Sequence, residues 1–203
     1  MSESEREAVW RRKLGEARRV VVKIGSAALL GPDGRLAEAA VRRLADDLAA
    51  VGAEGRQVVL VSSGAVAAGF PHLGYDARPR TLPELQAAAA LGQVELVRAY
   101  QEALRRHGRM AAQVLLTHDD LRDRRRHLNA RHTLAALLER GVVPIINEND
   151  TVAVDELRFG DNDALAALVT LLIGAELLIL LTTASGIHDT WPPTEDAGPI
   201  PWI

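Results

Sequence analysis

Five short apolar segments, each separated from the next by a stretch of helical periodicity, constrain the fold of this 203-residue chain more than any other feature. We predict a strand at each of them, at residues 19–24, 57–61, 111–116, 142–146 and 177–181. The segments are apolar at consecutive positions rather than at alternate ones, so both faces of the sheet must be covered. The pattern therefore predicts an α/β fold, a three-layer αβα sandwich with a mainly parallel central sheet.

Helices are predicted between the strands from the spacing of apolar side chains and from the residues that begin and end helices. Apolar residues recur at helical intervals from Leu36 to Leu48. Thr81 is placed to cap a long alanine-rich helix with Pro83 in its first turn, and Gly141 ends the helix before the fourth strand. The predicted helices span residues 36–51, 83–106, 124–140 and 161–174, with a hairpin-like stretch at 152–159.

The composition narrows the class of protein. Hydrophobic residues form 48% of the chain and charged residues 25%, which is typical of a soluble globular domain. There is no cysteine, so disulfides, thiolate metal sites and cysteine nucleophiles are excluded. The polar start lacks a signal-peptide core, and the longest apolar run near the end is too short to span a bilayer. With a formal net charge of -3, we expect a cytoplasmic protein without a nucleic-acid or membrane partner.

Polar and glycine-rich clusters directly follow the carboxyl ends of four predicted strands. The clusters are Gly25-Ser26, Ser62-Ser63-Gly64, Asn147 to Asp150 and Thr182-Thr183. Turns gather glycine and serine without any function. In open α/β sheets, however, ligands bind at the edge formed by the carboxyl ends of the strands. Four clusters at one edge therefore predict a ligand site.

Two of these regions offer a cation or free amide groups to an anion. Lys23 lies in an otherwise apolar strand, either partly exposed at the strand end or as a cation for phosphate oxygens, with the amides of Gly25 and Ser26 as further donors. The turn from Ser62 to Ala65 joins a strand to a helix, where serine caps the helix or the free amides bind a carboxylate or phosphate. The residues alone leave both pairs of interpretations open.

Four carboxylates fall within one short segment: Glu148, Asp150, Asp161 and Asp163. Carboxylates this close repel one another unless cations or hydrogen-bond donors compensate. A helix start explains one acidic residue near Asp161, but it does not explain the set. A site that organises a magnesium–phosphate cluster or binds an amino group explains more of them.

No Ser–His–Asp or zinc-ligand arrangement is evident in the sequence. Three histidines surround a basic stretch, and we interpret them as part of a solvated helix face: His118, His127 and His132.

The sequence resembles the amino acid kinase family, and within it the glutamate 5-kinases, in five stretches: VVVKIGSAAL, VVLVSSGAVAAG, QAAAALGQVELVRAY, VLLTHDDLRDRRRHLNARHTL and VVPIINENDTVAVDELRFGDNDALAALV. They extend from about Arg19 to Gly186, and the INENDTV…GDND block is the most specific. The resemblance implies an enzyme that uses magnesium ATP to phosphorylate the side-chain carboxylate of L-glutamate. The product, glutamyl 5-phosphate, is the first intermediate of proline biosynthesis. The resemblance further implies a homo-oligomer under feedback control by proline.

The resemblance also implies roles for the matching residues. Lys23 would contact the transferring phosphate, and Asp163 would orient the catalytic lysines. No residue is assigned to a metal. A carboxylate acceptor is already ionised at neutral pH, so the reaction needs neither a general base nor a catalytic histidine. The residues implied for glutamate are Ser63, Asp150 and Asn162, and those implied for ATP are Lys23, Gly25, Thr182 and Thr183.

The chain departs from the family in two places. Its fifth strand runs into Thr182-Thr183, where the family has a Thr-Asp pair. Lys13 and Lys23 are its only lysines, so the second catalytic lysine that the resemblance implies has no counterpart here. We therefore expect a lead-in at residues 1–18, the amino-terminal part of a kinase domain at 19–186 and a divergent tail at 187–203. The kinase fold would be incomplete at its carboxyl end, and a truncated or frameshifted reading would explain the tail.

Three hypotheses follow from the sequence. The first is a glutamate 5-kinase domain whose own activity is in question, because part of the ATP site has no counterpart in this chain. The second is a non-catalytic module that keeps the amino-acid pocket. The third is a related kinase that acts on acetylglutamate, aspartate or a nucleotide, which the NEND and GDND blocks disfavour.

Overall fold

A computed structural model describes residues 3–152, 162–184, 186 and 200 of the chain. Five strands form one sheet: Arg19–Ile24 (β1), Gln57–Ser62 (β2), Ala111–Leu116 (β3), Val143–Glu148 (β4) and Leu177–Leu181 (β5). All of their pairings are parallel, and their order across the sheet is β3-β4-β2-β1-β5. Strand β1 lies between β2 and β5, so that Lys23 is aligned with Val61 on one side and with Leu180 on the other.

Helices connect the strands and cover both faces of the sheet. Their bounds are Glu3–Glu16 (α1), Ser26–Leu29 (α2), Glu38–Ala53 (α3), Ala65–Gly69 (α4), Leu82–Arg105 (α5), His118–Arg122 (α6), Arg124–Glu139 (α7) and Asn162–Ile173 (α8), with a short 3₁₀ helix at Phe70–Leu73. None of the described helices combines the length and the apolar composition that crossing a membrane requires.

Two hydrophobic cores lie on opposite faces of the sheet because consecutive side chains of a strand point to opposite faces. On one face, Val20 and Val22 of β1 pack with α3 and α5, including Leu44 and Leu96. On the other face, Val21 packs with residues of α6, α7 and α8. Neighbouring apolar residues of β1 therefore belong to different cores, which explains why the apolar run of this strand is uninterrupted. The prediction of a three-layer αβα sandwich around a parallel sheet is confirmed.

Helices α4 and α5 approach each other so closely that only glycine fits where they cross. A Cβ atom at Gly92 would lie 1.7 Å from the carbonyl oxygen of Ala65, and one at Gly69 would lie 1.9 Å from that of Ala88. Real Cβ atoms do not come within such distances of backbone oxygens, so the two glycines set the position of α4 against α5. Because α4 directly follows β2, this contact also fixes the turn after β2.

Three of the predicted strands, β1, β3 and β5, have the predicted bounds. Strand β2 ends one residue later than predicted, and β4 begins one residue later and ends two residues later. The four long helices lie within two residues of their predicted bounds. Thr81 does precede α5, but its hydroxyl donates to Glu84 Oε2 (2.6 Å) instead of accepting from the helix. The predicted hairpin-like stretch at 152–159, apart from Val152, and the tail at 187–203, apart from Ile200, lie outside the described residues.

Helix α1 and the short helices were not predicted from the sequence. Helix α1 carries no regular apolar face, and almost all of its described side chains are exposed. Helices α2, α4 and α6 have four or five residues each, too few to show a helical period.

Candidate active site

The polar clusters after β1, β2, β4 and β5 lie together at the carboxyl edge of the sheet. Hydrogen bonds between neighbouring turns hold them in place. Ser63 N donates to the carbonyl oxygen of Ile24 (3.1 Å), and Gly25 N donates to that of Leu181 (3.2 Å). The turn after β4 is held in the same way, because Asn149 N donates to the oxygen of Leu116 (3.0 Å). The sheet thus brings distant parts of the sequence to one edge.

One part of this edge is the lysine edge, which we define as Lys23, Gly25, Asp163, Thr182 and Thr183. Lys23 is only 6% exposed, and its ammonium forms an ion pair with the half-exposed carboxylate of Asp163. An atom added at the Cβ position of Gly25 would lie 3.7 Å from Lys23 Nζ, so the turn passes directly beside the ammonium. The two threonines are exposed after β5. Of the two sequence interpretations of Lys23, this burial contradicts the one that leaves it partly exposed at the strand end.

The other part is the acidic cavity, a space of about 450 Å³ beside the lysine edge. This volume falls within the range of about 300–1,000 Å³ that is usual for small-molecule sites. Six of its polar lining residues were singled out in the sequence: Ser26, Ser63, Asn147, Glu148, Asp150 and Asn162. Three others, which come from two loops, were not: Asp33, Asp76 and Arg78.

Asn162, the first residue of α8, connects the turns after β2 and β4. Its Nδ2 donates to the carbonyl oxygen of Ser62 (3.1 Å), to Ser63 Oγ (3.0 Å) and to Asn147 Oδ1 (2.8 Å). The side chain is 2% exposed, and its Oδ1 accepts no hydrogen bond from the part of the chain that the structure describes. A buried acceptor without a donor is costly. Asn162 lines the acidic cavity, and a donor group brought next to this oxygen would satisfy it.

The turn after β2 presents Ser63 and the start of α4 to the cavity. Gly64 has a φ of 104°, a left-handed conformation that disfavours any residue with a Cβ. This turn lets the chain enter α4 directly from the strand. Because Ser63 Oγ accepts from Asn162, the hydroxyl hydrogen is directed to some other acceptor. The helix-cap interpretation fails here, since α4 has no side-chain cap.

Asp150 and Glu148 give the cavity its acidic character. Burial, followed by the negative charge of Glu148, raises the pKa of Asp150 to about 6, and the positive charge of Arg78 opposes this increase. Asp150 is therefore ionised at neutral pH but is protonated more readily than an exposed carboxylate. A cationic group in the cavity would favour its ionised form.

His118 is close to this acidic pair, which corrects the interpretation of the three histidines as solvated. Its Nδ1 lies 3.5 Å from Glu148 Oε1, and both side chains are about 90% buried, at 12% and 11% exposure. A capping box between Thr117 and Asp120 fixes the start of α6 and so the position of His118. His127 is partly buried, with Nδ1 3.1 Å from the carbonyl oxygen of Leu121, and only His132 is exposed as expected.

The described residues contain no group of three acidic or histidine side chains arranged to hold a metal ion. Asp161 lies outside the described residues, so its place in the predicted acidic set stays a prediction. The acidic residues that line the cavity are Asp33, Asp76, Glu148 and Asp150.

Comparison with known proteins places the chain in one family. The sequence profile of the amino acid kinase family matches residues 18–203. The chain is 57% identical over 182 residues to the glutamate 5-kinase of Thioalkalivibrio sulfidiphilus, an alignment that covers 90% of this chain and 48% of the relative. It is 55% identical over 188 residues to the glutamate 5-kinase of Azoarcus sp., covering 93% and 50%. The glutamate 5-kinase of Hahella chejuensis is 57% identical over 187 residues, covering 92% and 48%. The chain therefore spans about half the length of the curated relatives it matches.

Proposed function

The chain belongs to the amino acid kinase family, and on this premise we propose that it binds L-glutamate for phosphoryl transfer from ATP to the side-chain carboxylate. The observation that carries the proposal is the acidic cavity beside a buried lysine. The named relatives, which are glutamate 5-kinases, support the same choice of substrate.

The acidic cavity suits the amino group of an amino acid. An ammonium needs acceptors on several sides, and the carboxylates of Glu148 and Asp150 together with Asn162 Oδ1 supply them. The Ser63 hydroxyl and the free amides at the start of α4 suit a carboxylate of the same ligand. In this proposal Ser63, Asp150 and Asn162 bind glutamate.

The lysine edge suits the transferring phosphoryl group. The acceptor carboxylate is already ionised at neutral pH, so catalysis consists of aligning two anions and compensating their charge. Lys23 is the cation nearest the turn at Gly25, and Asp163 fixes its ammonium in place. We propose that Lys23 stabilises the charge on the transferring phosphate, that Asp163 positions it and that Gly25, Thr182 and Thr183 border the nucleotide.

The proposal includes ATP as the phosphoryl donor and Mg²⁺ as its counter-ion. Magnesium at such sites is held largely by substrate phosphates and water, with few protein carboxylates. A protein site for the ion is therefore not required by the chemistry. We further propose, from the family, a homo-oligomer located in the cytoplasm that acts in proline biosynthesis and is inhibited by proline.

A hydroxylamine-trap assay with the purified chain tests the reaction. The chain is incubated with magnesium ATP, hydroxylamine and one of three acceptors: L-glutamate, N-acetylglutamate or aspartate. Hydroxamate formed only with glutamate is the expected result, because hydroxylamine attacks the acyl phosphate and releases phosphate. Isothermal titration of glutamate, without nucleotide, tests binding separately.

The two measurements also separate the alternatives. Glutamate binding without hydroxamate would support a module that binds the amino acid but does not transfer phosphate. Hydroxamate formed with aspartate or N-acetylglutamate instead would support a related kinase. A folded chain that neither binds glutamate nor forms hydroxamate would contradict the proposed function.

A further inference from the structure

The acidic cavity and its proposed ligand, glutamate, both carry more negative than positive groups. Four acidic residues line the cavity, Asp33, Asp76, Glu148 and Asp150, whereas Arg78 is the one basic residue among the described lining residues. Glutamate carries two carboxylates and one ammonium. The acids suit the ammonium, but each carboxylate must meet a cation or hydrogen-bond donors to offset repulsion from these acids.

The side of the cavity that suits an ammonium is already defined by two kinds of acceptor. Asn162 Oδ1 is buried without a partner among the described residues, and the residue is only 2% exposed. Asp150 supplies a carboxylate on the wall formed by the turn after β4. The unpartnered oxygen of Asn162 and the carboxylate of Asp150 are independent observations. Each of them indicates a ligand that donates hydrogen bonds.

Arg78 belongs to the loop between the 3₁₀ helix and α5, and it faces the same space as Asp150. Its charge acts directly on Asp150, although the two are not in a close ion pair. Lys23, by contrast, is paired with Asp163 and does not line the cavity. A guanidinium carries a permanent charge and binds a carboxylate through two parallel hydrogen bonds.

We propose that Arg78 binds the α-carboxylate of the amino acid while Asp150 binds its ammonium, which makes Arg78 a specificity-determining residue of the cavity. The inference rests on the proposed function, since it names how the substrate of that site is recognised. The carboxylate of Asp150 and the guanidinium of Arg78 would match the two charged groups that are attached to the α-carbon of an amino acid. The side-chain carboxylate is then left for Ser63 and the lysine edge.

Isoglutamine tests this assignment because it is glutamate with the α-carboxylate replaced by an uncharged carboxamide of nearly the same shape. Dissociation constants for L-glutamate and L-isoglutamine are measured by titration with the whole chain and with Arg78→Gln. We expect the wild-type chain to prefer glutamate by about tenfold or more, the effect of one hydrogen-bonded charge. In Arg78→Gln, glutamate should bind about as weakly as isoglutamine, with isoglutamine binding little changed.

Arg80→Gln is the matched control, since Arg80 is an exposed arginine of the same loop that does not line the cavity. It should keep the wild-type preference, and circular dichroism should show that all three chains are folded. The inference is overturned if Arg78→Gln still prefers glutamate, if the wild-type chain binds both ligands equally, or if the variant loses both ligands alike. A wild-type chain that binds neither ligand would instead contradict the proposed function itself.

Discussion

The acidic cavity and the lysine edge lie side by side, yet they are constructed in opposite ways. In the cavity, neutral amides and hydroxyls are buried and hold one another through Asn162, which connects the turns after two strands. At the lysine edge, a single buried cation is balanced by a carboxylate whose side chain is 53% exposed. The first region depends on a network of hydrogen bonds, and the second on one pair of charges.

Because of this difference, we expect the stability of the fold and the rate of the reaction to depend on different regions. Buried hydrogen-bond networks contribute to stability and to the shape of a site, so damage to one affects both. A cation paired with an exposed carboxylate contributes little to stability, because water solvates the carboxylate when the cation is removed. Substitutions in the hydrogen-bond network around Asn162 should therefore reduce stability together with glutamate binding, whereas substitutions at the lysine edge should reduce the rate of phosphoryl transfer alone.

The largest effect is expected from Gly92→Ala, which removes the support of the cavity. The added methyl group would lie 1.7 Å from the carbonyl oxygen of Ala65, so α4 must move and take the turn after β2 with it. We expect the free energy of unfolding in urea to fall by about 3 kcal/mol or more. Gly15→Ala is the control, since no atom lies within 4 Å of that position, and it should change stability by less than about 1 kcal/mol. Equal stability of the two variants would contradict the close approach of the helices.

The next largest effect is expected from Asn162→Ala. The two hydrogens of its Nδ2 lose their three acceptors, so the free energy of unfolding should fall by about 2 to 3 kcal/mol. Glutamate affinity should fall at least about tenfold because the buried acceptor disappears as well. Asn149→Ala is the control, as Asn149 accepts a bond from Thr151 within its own turn (2.7 Å). If Asn149→Ala lowers the free energy of unfolding and the glutamate affinity as much as Asn162→Ala does, the hydrogen-bond network at Asn162 has no special importance.

A pH titration sharpens the comparison at Asp150. Glutamate affinity should fall as the pH drops through about 6, because the carboxylate that binds the ammonium becomes protonated, and by about tenfold for each further unit. Asp150→Asn should bind glutamate weakly and lack this dependence. A wild-type affinity that does not change between pH 5 and 7 would contradict the role of Asp150.

The stability of the unliganded chain should respond in the opposite sense. In the folded chain the pKa of Asp150 is raised above its ordinary value of 3.8, so between 3.8 and about 6 the folded state holds the proton that the unfolded state releases. This group therefore makes stability decrease as the pH rises through that window. Above it, Asp150→Asn should be more stable than the wild-type chain by about 1 to 3 kcal/mol in urea, and it should lose that advantage in acid.

The smallest effect on the cavity is expected from Lys23→Met. Methionine keeps the length of the side chain and suits the apolar strand, while the exposed Asp163 tolerates loss of the ion pair. The free energy of unfolding should change by no more than about 1 kcal/mol, and the dissociation constant for glutamate by less than about twofold. Hydroxamate formation should fall by at least about 100-fold. A large loss of glutamate affinity would show that the two regions are not separate.

The sequence predicted most of the fold because its signals are local. The apolar runs of β1, β3 and β5 have the expected bounds, and Gly141 ends α7 with a φ of 70°. Short helices such as α4 were missed, since five residues show no period and their position depends on contacts with α5. The proposed glutamate residues Ser63, Asp150 and Asn162 do line one cavity. Their roles stay predictions.

The sequence by itself determined the order of the strands and helices along the chain. It also determined the edge of the sheet at which polar residues gather, because strand ends are encoded within a few neighbouring residues. The tertiary structure decided which side chains share a cavity. Asn162 contacts Ser62 and Ser63 across 100 and 99 positions of the sequence, and Arg78, from a loop without any motif, lines the same cavity as Asp150. His118, interpreted as solvated, lies beside Glu148 for the same reason. Such contacts depend on how parallel strands are ordered in the sheet, and no local pattern of residues specifies that order.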